Sequence, residues 1–245
     1  MNYLCTTVRP DINVAISKLS QNLKNPEPEH AKHLLHLLRY LHTTRNRTLD
    51  LNPSKRTGLE IYSDSNFADA SDKRRRSTSG TIITLHGRPI AWKSKLQTCT
   101  ADSTHEAELY AMHQSLKLGL SLRYSLNDLG LIANAPAPMY VDNAACQCTA
   151  HLYDQITSRN RHIPTRYFKI CDHTESGEII VKWKSGKCNP ADIFTKPLSA
   201  IESAPHLDFI FHGTAYPLQV VGGCLAVNPP SPHRVRISAP DLIEP

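Results

Sequence analysis

Apolar residues near the start of the chain recur at the spacing of a helix. The repeat falls at every third or fourth position and includes Ala31, Leu34, Leu35, Leu38 and Leu41. That spacing places them on one face of a helix, for which Asn25 is the expected cap and the two following prolines are tolerated in the first turn. A second repeat over residues 8–19 predicts an earlier, shorter helix. We therefore expect residues 1–52 to form a helical segment that ends at a polar hinge.

The middle of the chain changes to short β-rich runs separated by helical stretches. The expected strands cover residues 59–65, 80–85, 89–93, 138–142 and 178–183. A long helix begins after Ser103, which forms a capping box with Glu106, and a second helix runs from Pro164 to Gly177. This order of elements predicts an α/β domain over residues 58–198, with a mixed five-stranded sheet flanked by helices.

Helical spacing is lost from Ile201 onward. Prolines punctuate this segment at positions 205, 217, 229, 230, 232, 240 and 245. Since the segment is rich in proline and has no helical repeat, we predict a poorly ordered tail over residues 199–245. A short apolar run over residues 218–225 is its one candidate for docking onto the domain.

The composition of the 245-residue chain is that of an ordinary globular protein with a mild basic bias. The formal net charge of +6 is compatible with a polyanionic partner but does not require one. The seven cysteines include no Cys-x-x-Cys pair and no histidine falls in a His-Glu-x-x-His pattern, so we expect no zinc site. No apolar run approaches the length of a membrane span. We therefore expect an intracellular protein with reduced thiols and no membrane partner.

Four acidic residues lie in different predicted elements and are the main candidates for chemistry. Asp64 lies in the first strand, Glu108 in the long helix, Asp142 at the end of the fourth strand and Asp192 at the start of a short helix. Carboxylates that converge from separate elements repel one another until a divalent cation binds between them. Two Mg²⁺ ions held by such oxygen ligands are what a two-metal nuclease needs.

The motifs around these acids resemble a known family. They are YSDSNFA (62–68), RRSTSG (75–80), PIAWKSKLQ (89–97), STHEAE (103–108), VDN (141–143), RHI (161–163) and NPADIFTKPL (189–198). Each motif alone is weak, but together, in this order, they are similar to the ribonuclease H domain of copia-type LTR retrotransposon Pol polyproteins. The resemblance extends from about residue 7 to residue 198.

The resemblance implies a fold, an activity and partners. The fold would be a ribonuclease H-like mixed five-stranded sheet flanked by helices, preceded by a helical segment (residues 1–52) like the connection that follows the reverse transcriptase region. The activity would be endonucleolytic hydrolysis of the RNA strand of RNA–DNA hybrids with two Mg²⁺ ions, or Mn²⁺ in their place. Asp64, Glu108, Asp142 and Asp192 would be the metal ligands and catalytic residues. The expected partners are the hybrid and the polymerase part of the same polyprotein.

The second acid of the set has two candidates. Glu106 completes the predicted capping box, whereas Glu108 is followed by an apolar residue and, three positions on, by Ala111. That arrangement is usual around the glutamate of ribonucleases H, so the resemblance favours Glu108.

Basic residues near the motifs are candidates for contacts with phosphates. They are Lys73, Arg74, Arg75, Arg76, Lys93 and Lys95. The first four lie in a predicted loop, and an ordinary solvated loop explains such a run equally well.

Two other functions are alternatives to this one. A non-catalytic nucleic-acid-binding or interaction module with the same fold would not need the complete acidic set. A transposon integrase of related fold would have an N-terminal His-His-Cys-Cys zinc unit and a late glutamate as its third acid, and the sequence contains neither. The ribonuclease H interpretation is therefore preferred.

Overall fold

A mixed five-stranded sheet forms the centre of the protein. The computed structural model describes residues 1–54, 56, 58–70, 72–150, 166–214 and 216. The strands are β1 (Leu59–Asn66), β2 (Thr78–Leu85), β3 (Arg88–Leu96), β4 (Ala137–Val141) and β5 (Ile179–Trp183). Their order is β3-β2-β1-β4-β5, with antiparallel pairing among β1, β2 and β3 and parallel pairing of β4 with β1 and β5. The predicted ribonuclease H-like class is confirmed.

Seven helices and three short 3₁₀ turns surround this sheet in the described residues. The helices are α1 (Asn2–Thr7), α2 (Asn13–Gln21), α3 (Pro28–Thr43), α4 (Thr104–Asp128), α5 (Ala144–Thr149), α6 (Arg166–Glu175) and α7 (Ala200–His212). The turns are Pro10–Ile12, Gly186–Cys188 and Asp192–Phe194. The predicted helix start at Pro164 and the motif at 161–163 lie outside the described residues. Among the residues described, no helix combines the length and apolar character that crossing a bilayer requires.

Helix α4 covers one face of the sheet. Ile61 and Met139 on the strands are fully buried, as are Met112 and Leu116 on the helix. Each such side chain contributes roughly 1.5–3 kcal/mol when removed from water. A Cβ at Gly119 would lie 2.3 Å from Cδ1 of Ile61, so the absence of a side chain there allows the helix to approach β1 closely. This packing fixes α4 against the strand that carries Asp64.

The opposite face of the sheet is covered by helix α7, so the predicted poorly ordered tail (199–245) is wrong for its first part, residues 200–212. Phe209 and Phe211 are buried there against Tyr62 and Ile82 of the strands. The helix begins with a capping box in which Ser199 accepts a hydrogen bond from the backbone of Glu202, and it ends at a left-handed glycine. Its apolar residues cluster in the last turn instead of recurring along it, which explains why no helical repeat is visible. Residues 217–245, including the apolar run 218–225, lie outside the described part.

The N-terminal helices form a small core of their own and attach to the edge of the sheet. Cys5, Ile12, Ile16 and Leu37 are buried together. Asn13 accepts a hydrogen bond from the backbone N–H of Ser94 on β3 at 3.0 Å. The ammonium group of Lys18 lies 3.0 Å from the carboxylate of Asp69. Helix α3 begins at Pro28 with Glu27 as its cap, two residues after the expected Asn25.

Candidate active site

Asp64 lies near the end of β1, in a buried position. Its side chain is 4% exposed, and its Oδ2 accepts a hydrogen bond from Oγ1 of Thr195 at 2.8 Å. It faces Gly80 across the antiparallel pair. A Cβ at Gly80 would lie 2.5 Å from the backbone oxygen of Ala191, so only glycine lets the turn after residue 190 lie this close to the sheet.

Glu108 lies in the second turn of α4 and reaches the same region from the helix. Its Oε1 accepts hydrogen bonds from Ser65, at 2.9 Å from Oγ and 3.3 Å from the backbone nitrogen. Its Oε2 is buried and has no hydrogen-bond partner among the described residues. Glu106 lies at the helix start, where its Oε2 accepts from the backbone of Asp102 at 2.7 Å. The structure thus places Glu108, and not Glu106, beside Asp64.

Asp142 follows directly after β4. Its backbone oxygen accepts a hydrogen bond from Nε1 of Trp183 at 2.9 Å, which ties the end of β4 to the end of β5. A Cβ at Gly186 would lie 3.0 Å from Oδ2 of Asp142, so the loop after β5 passes close to this carboxylate. The next residue, Asn143, caps helix α5 through hydrogen bonds to its side-chain oxygen.

Three of the four predicted acids come together in one cluster. One carboxylate oxygen from each of Asp64, Glu108 and Asp142 lies within 4.8 Å of the other two. Hard divalent cations prefer such oxygen donors. Within the described part of the chain, the buried Oε2 of Glu108 has no hydrogen-bond partner, which is a further sign that a cation belongs there, because an unpaired buried carboxylate is costly. The residues present therefore fit a divalent metal ion.

Burial and the charges of neighbouring acids raise the pKa of all three acids. The pKa of Asp64 is raised to about 7 by burial, then by the charges of Asp142 and Asp192, although the bond from Thr195 opposes the shift. Burial, then Asp64 and Asp142, hold the pKa of Glu108 well above its ordinary value. The pKa of Asp142 is raised by burial and, to a smaller extent, by Asp192. Without a cation, the folded pocket therefore favours protonated acids.

Asp192 lies beside the cluster but is bound to a lysine. It begins the turn Asp192–Phe194, and its Oδ1 lies 2.6 Å from the ammonium group of Lys196. Its charge still raises the pKa of Asp64 and Asp142, so it is a near neighbour of both. The prediction that all four acids converge thus needs refinement, because only three form the close group among the described residues. The fourth lies next to them in an ion pair.

Several residues that sequence reasoning did not single out hold the acids in place. Thr195 binds Asp64, and Ser65 binds Glu108. Asn189 donates a hydrogen bond from Nδ2 to the backbone oxygen of Ser63 at 2.8 Å, which fastens the last turn to β1. All of these residues lie inside the motifs at 62–68 and 189–198, so the motifs located them without revealing their roles.

The predicted phosphate-binding residues differ in their availability. Lys73, Arg74 and Arg75 are exposed. Arg76 is half-buried and its guanidinium lies 2.9 Å from Oδ1 of Asp72, so this member of the run is already paired. The run is therefore three available cations instead of four.

Lys93 and Lys95 lie exposed on the edge strand β3. Lys95 is in register with Ser79 and, through it, with Ser65 beside Asp64. Two strand spacings separate Lys95 from Ser65, or about 10 Å between their backbones.

The sheet order and the carboxylate cluster define a ribonuclease H-like domain. No family model matches the chain. The Pol polyprotein from transposon RE1 of Arabidopsis thaliana is 34% identical over 81% of this chain, and that from transposon TNT 1-94 of Nicotiana tabacum is 34% identical over 79%. A solved structure of LC11-RNase H1, isolated from compost, shares 16% identity over 57% of this chain and 93% of its own, with a TM-score of 0.42.

By sequence, the chain belongs to the Pol polyproteins of copia-type retrotransposons and contains their ribonuclease H domain. It spans 13% of the RE1 polyprotein and 14% of the TNT 1-94 polyprotein.

Proposed function

We propose that this chain hydrolyses the RNA strand of RNA–DNA hybrids with divalent metal ions, Mg²⁺ in the first place and Mn²⁺ as an alternative. Asp64, Glu108 and Asp142 would hold the first ion, and Asp192 would take part in holding a second. The observation that carries the proposal is the group of three carboxylate oxygens within 4.8 Å of one another. Their setting in a ribonuclease H-like domain supports this reaction above other metal-dependent hydrolyses.

The protein itself orients the carboxylates of the acidic cluster through hydrogen bonds. Ser65 fixes one oxygen of Glu108, and the other, buried oxygen has no hydrogen-bond partner among the residues that the structure describes. Thr195 fixes one oxygen of Asp64 in the same way. Because both carboxylates are oriented before a ligand binds, little reorganisation is needed during the reaction. Divalent ions, when bound, would supply a more acidic water and stabilise the charge that develops at phosphorus.

We further propose that the hybrid is bound mainly through its phosphates. The available cations are Lys73, Arg74, Arg75, Lys93 and Lys95. Contacts to phosphates position a nucleic acid without reading its base sequence, and contacts to 2′-hydroxyl groups distinguish RNA from DNA. The polymerase part of the same polyprotein is proposed as a second partner, in keeping with the relatives that the chain matches.

A cleavage assay with the full chain tests this proposal. End-labelled RNA in an RNA–DNA hybrid should be cut internally in Mg²⁺, while EDTA or the substitution Asp64→Asn should reduce the rate at least a hundredfold. Asp128→Asn, which makes the same chemical change at an exposed position on α4, should cleave like the parent. Binding of the hybrid without any cleavage would contradict the proposal and favour a non-catalytic nucleic-acid-binding module.

A further inference from the structure

The ion pair between Lys196 and Asp192 places a cation of the protein itself beside the acidic cluster. Its ammonium group lies 2.6 Å from Oδ1 of Asp192. Burial lowers the pKa of Lys196, but the hydrogen bond and charge of Asp192 outweigh it, with smaller contributions from Asp64 and Asp142, so the net pKa is raised. The positive charge of Lys196 therefore interacts with three of the four acids, Asp192, Asp64 and Asp142.

The two members of the pair differ in how freely they can move. The side chain of Lys196 is 45% exposed, whereas that of Asp192 is 16% exposed. The turn that carries Asp192 is fastened to the sheet, because Thr195 binds Asp64 and Asn189 binds the backbone of Ser63. Because the lysine side of this ion pair is exposed, the pair costs little to open, on the order of a few-fold in an equilibrium constant. Lys196 can therefore leave Asp192 while the carboxylate stays in place.

The pairing is incompatible with metal binding at the same oxygen. An ammonium group at hydrogen-bonding distance and a divalent ion at coordination distance cannot both occupy Oδ1 of Asp192. The ammonium group also repels a second cation through its charge, and this repulsion is weakly screened beside buried acids. The close group of Asp64, Glu108 and Asp142 holds no such lysine contact among the described residues.

We propose that Lys196 is an internal counter-cation that occupies Asp192 in the metal-free protein and is displaced when a second divalent ion binds. The first ion would bind at the three-acid group without this competition. Lys196 would then set the metal concentration at which the second ion binds. This inference rests on the proposed function, because it takes Asp192 as a ligand of the second ion.

Binding of Mn²⁺ to the full chain, followed by electron paramagnetic resonance of the free ion, tests the inference without measuring activity. We expect the parent to bind one ion tightly and a second more weakly. In Lys196→Gln the second dissociation constant should fall roughly three- to tenfold, and the first should change less than twofold. Lys196→Arg keeps the charge and should resemble the parent.

A matched control separates local competition from a general change in net charge. Lys117→Gln removes the same charge from an exposed position nine residues beyond Glu108 on α4, about 13 Å along the helix. It should leave both constants as in the parent. Since Lys196 is exposed, Lys196→Gln should fold normally, and a circular dichroism melt of each variant verifies this.

The outcomes distinguish the inference from the proposed function. A second constant that is unchanged or weaker in Lys196→Gln, or tightened equally in Lys117→Gln, would overturn the role of Lys196. So would a single bound ion in both the parent and Lys196→Gln. In each of these cases, hybrid cleavage by the parent would leave the proposed function intact. If the parent neither binds Mn²⁺ nor cleaves hybrid, both fail.

Discussion

Thr195 connects two of the acidic residues through a single hydroxyl group. Its Oγ1 lies 2.8 Å from Oδ2 of Asp64 and 2.9 Å from the backbone oxygen of Asp192. A hydroxyl has one proton and can donate to one of these acceptors at a time. Its hydrogen bond opposes the rise in the pKa of Asp64. Thr195 is therefore expected to stabilise the ionised form of that buried carboxylate.

The first prediction at the residue scale concerns Thr195→Val, which keeps the side-chain shape and removes the hydroxyl. Without the donor, the pKa of Asp64 should rise further, so ionising it costs more in the folded protein. The metal-free variant should lose about 1–3 kcal/mol of unfolding free energy at pH 8, and less at pH 5, where Asp64 is protonated. Urea denaturation at both pH values measures this.

Thr195→Ser is the control for this prediction, because it keeps the hydroxyl and loses one methyl group. Its loss of stability, on the order of 1 kcal/mol, should be the same at pH 5 and pH 8. If the valine variant shows the same pH dependence as the serine variant, the hydroxyl has no special relation to the charge on Asp64.

At the scale of elements, helix α7 completes the domain on the face opposite α4. Its buried aromatic residues cover Tyr62 and Ile82, which lie on the strands next to the cluster. The ring of Phe209 packs edge-on against the ring of Tyr62, with 5.7 Å between the ring centroids. The helix lies directly after the motif that carries Asp192 and Lys196, so its docking also restrains where that motif lies.

The element-scale prediction is that Phe209→Ala destabilises the protein as a core substitution does. Phe209 is fully buried, so the loss should be about 3–5 kcal/mol. Ile201→Ala on the same helix is the matched control, because Ile201 is 88% exposed and should change stability by less than about 0.5 kcal/mol. If both substitutions change the unfolding free energy by equally small amounts, the result would favour the poorly ordered tail that the sequence predicts. Chemical denaturation provides both values.

At the scale of the whole molecule, the acidic cluster couples stability to pH and metal. Asp64 has an ordinary pKa of 3.8 and a folded pKa of about 7, so between these values the folded state holds a proton that the unfolded state has lost. Stability must therefore fall as pH rises through this window. The pKa values of Glu108 and Asp142 are raised as well and act in the same direction.

The whole-molecule prediction is that the metal-free protein loses a few kcal/mol of unfolding free energy between pH 4 and pH 7, and that Mg²⁺ restores it at pH 8. A ligand at a hundred times its dissociation constant adds about 2.7 kcal/mol. His105 and His206, whose pKa values burial lowers, act in the opposite direction. The difference between the parent and Asp64→Asn isolates the acid, since both proteins contain these histidines.

This prediction has a clear contrary result. Thermal melts at pH 5 and pH 8, with Mg²⁺ and with EDTA, should show a smaller pH effect and a smaller Mg²⁺ effect in Asp64→Asn than in the parent. If the parent and Asp64→Asn show the same pH effect without metal, the folded protein does not hold a proton on Asp64 that the unfolded chain has lost.

The sequence by itself determined the strands, most of the helices and the elements that carry the acids. A short β-rich run predicts β1, the capping box of Ser103 predicts the start of α4, and the acids lie at β1, α4 and the end of β4 as expected. These features are encoded by neighbours a few residues apart, so a linear pattern contains them. Their order along the chain also restricts the sheet to few arrangements.

Only the tertiary structure decided how distant residues meet. The docking of α7, the pairing of Asp192 with Lys196 and that of Arg76 with Asp72 have no periodic signal. Thr195 binds Asp64 across 131 positions because Gly80 leaves room for the last turn beside β1. Such contacts depend on close packing between elements, where a single Cβ changes what fits. The sequence therefore located the acids, while packing decided which of them form the close carboxylate group and which one pairs with a lysine.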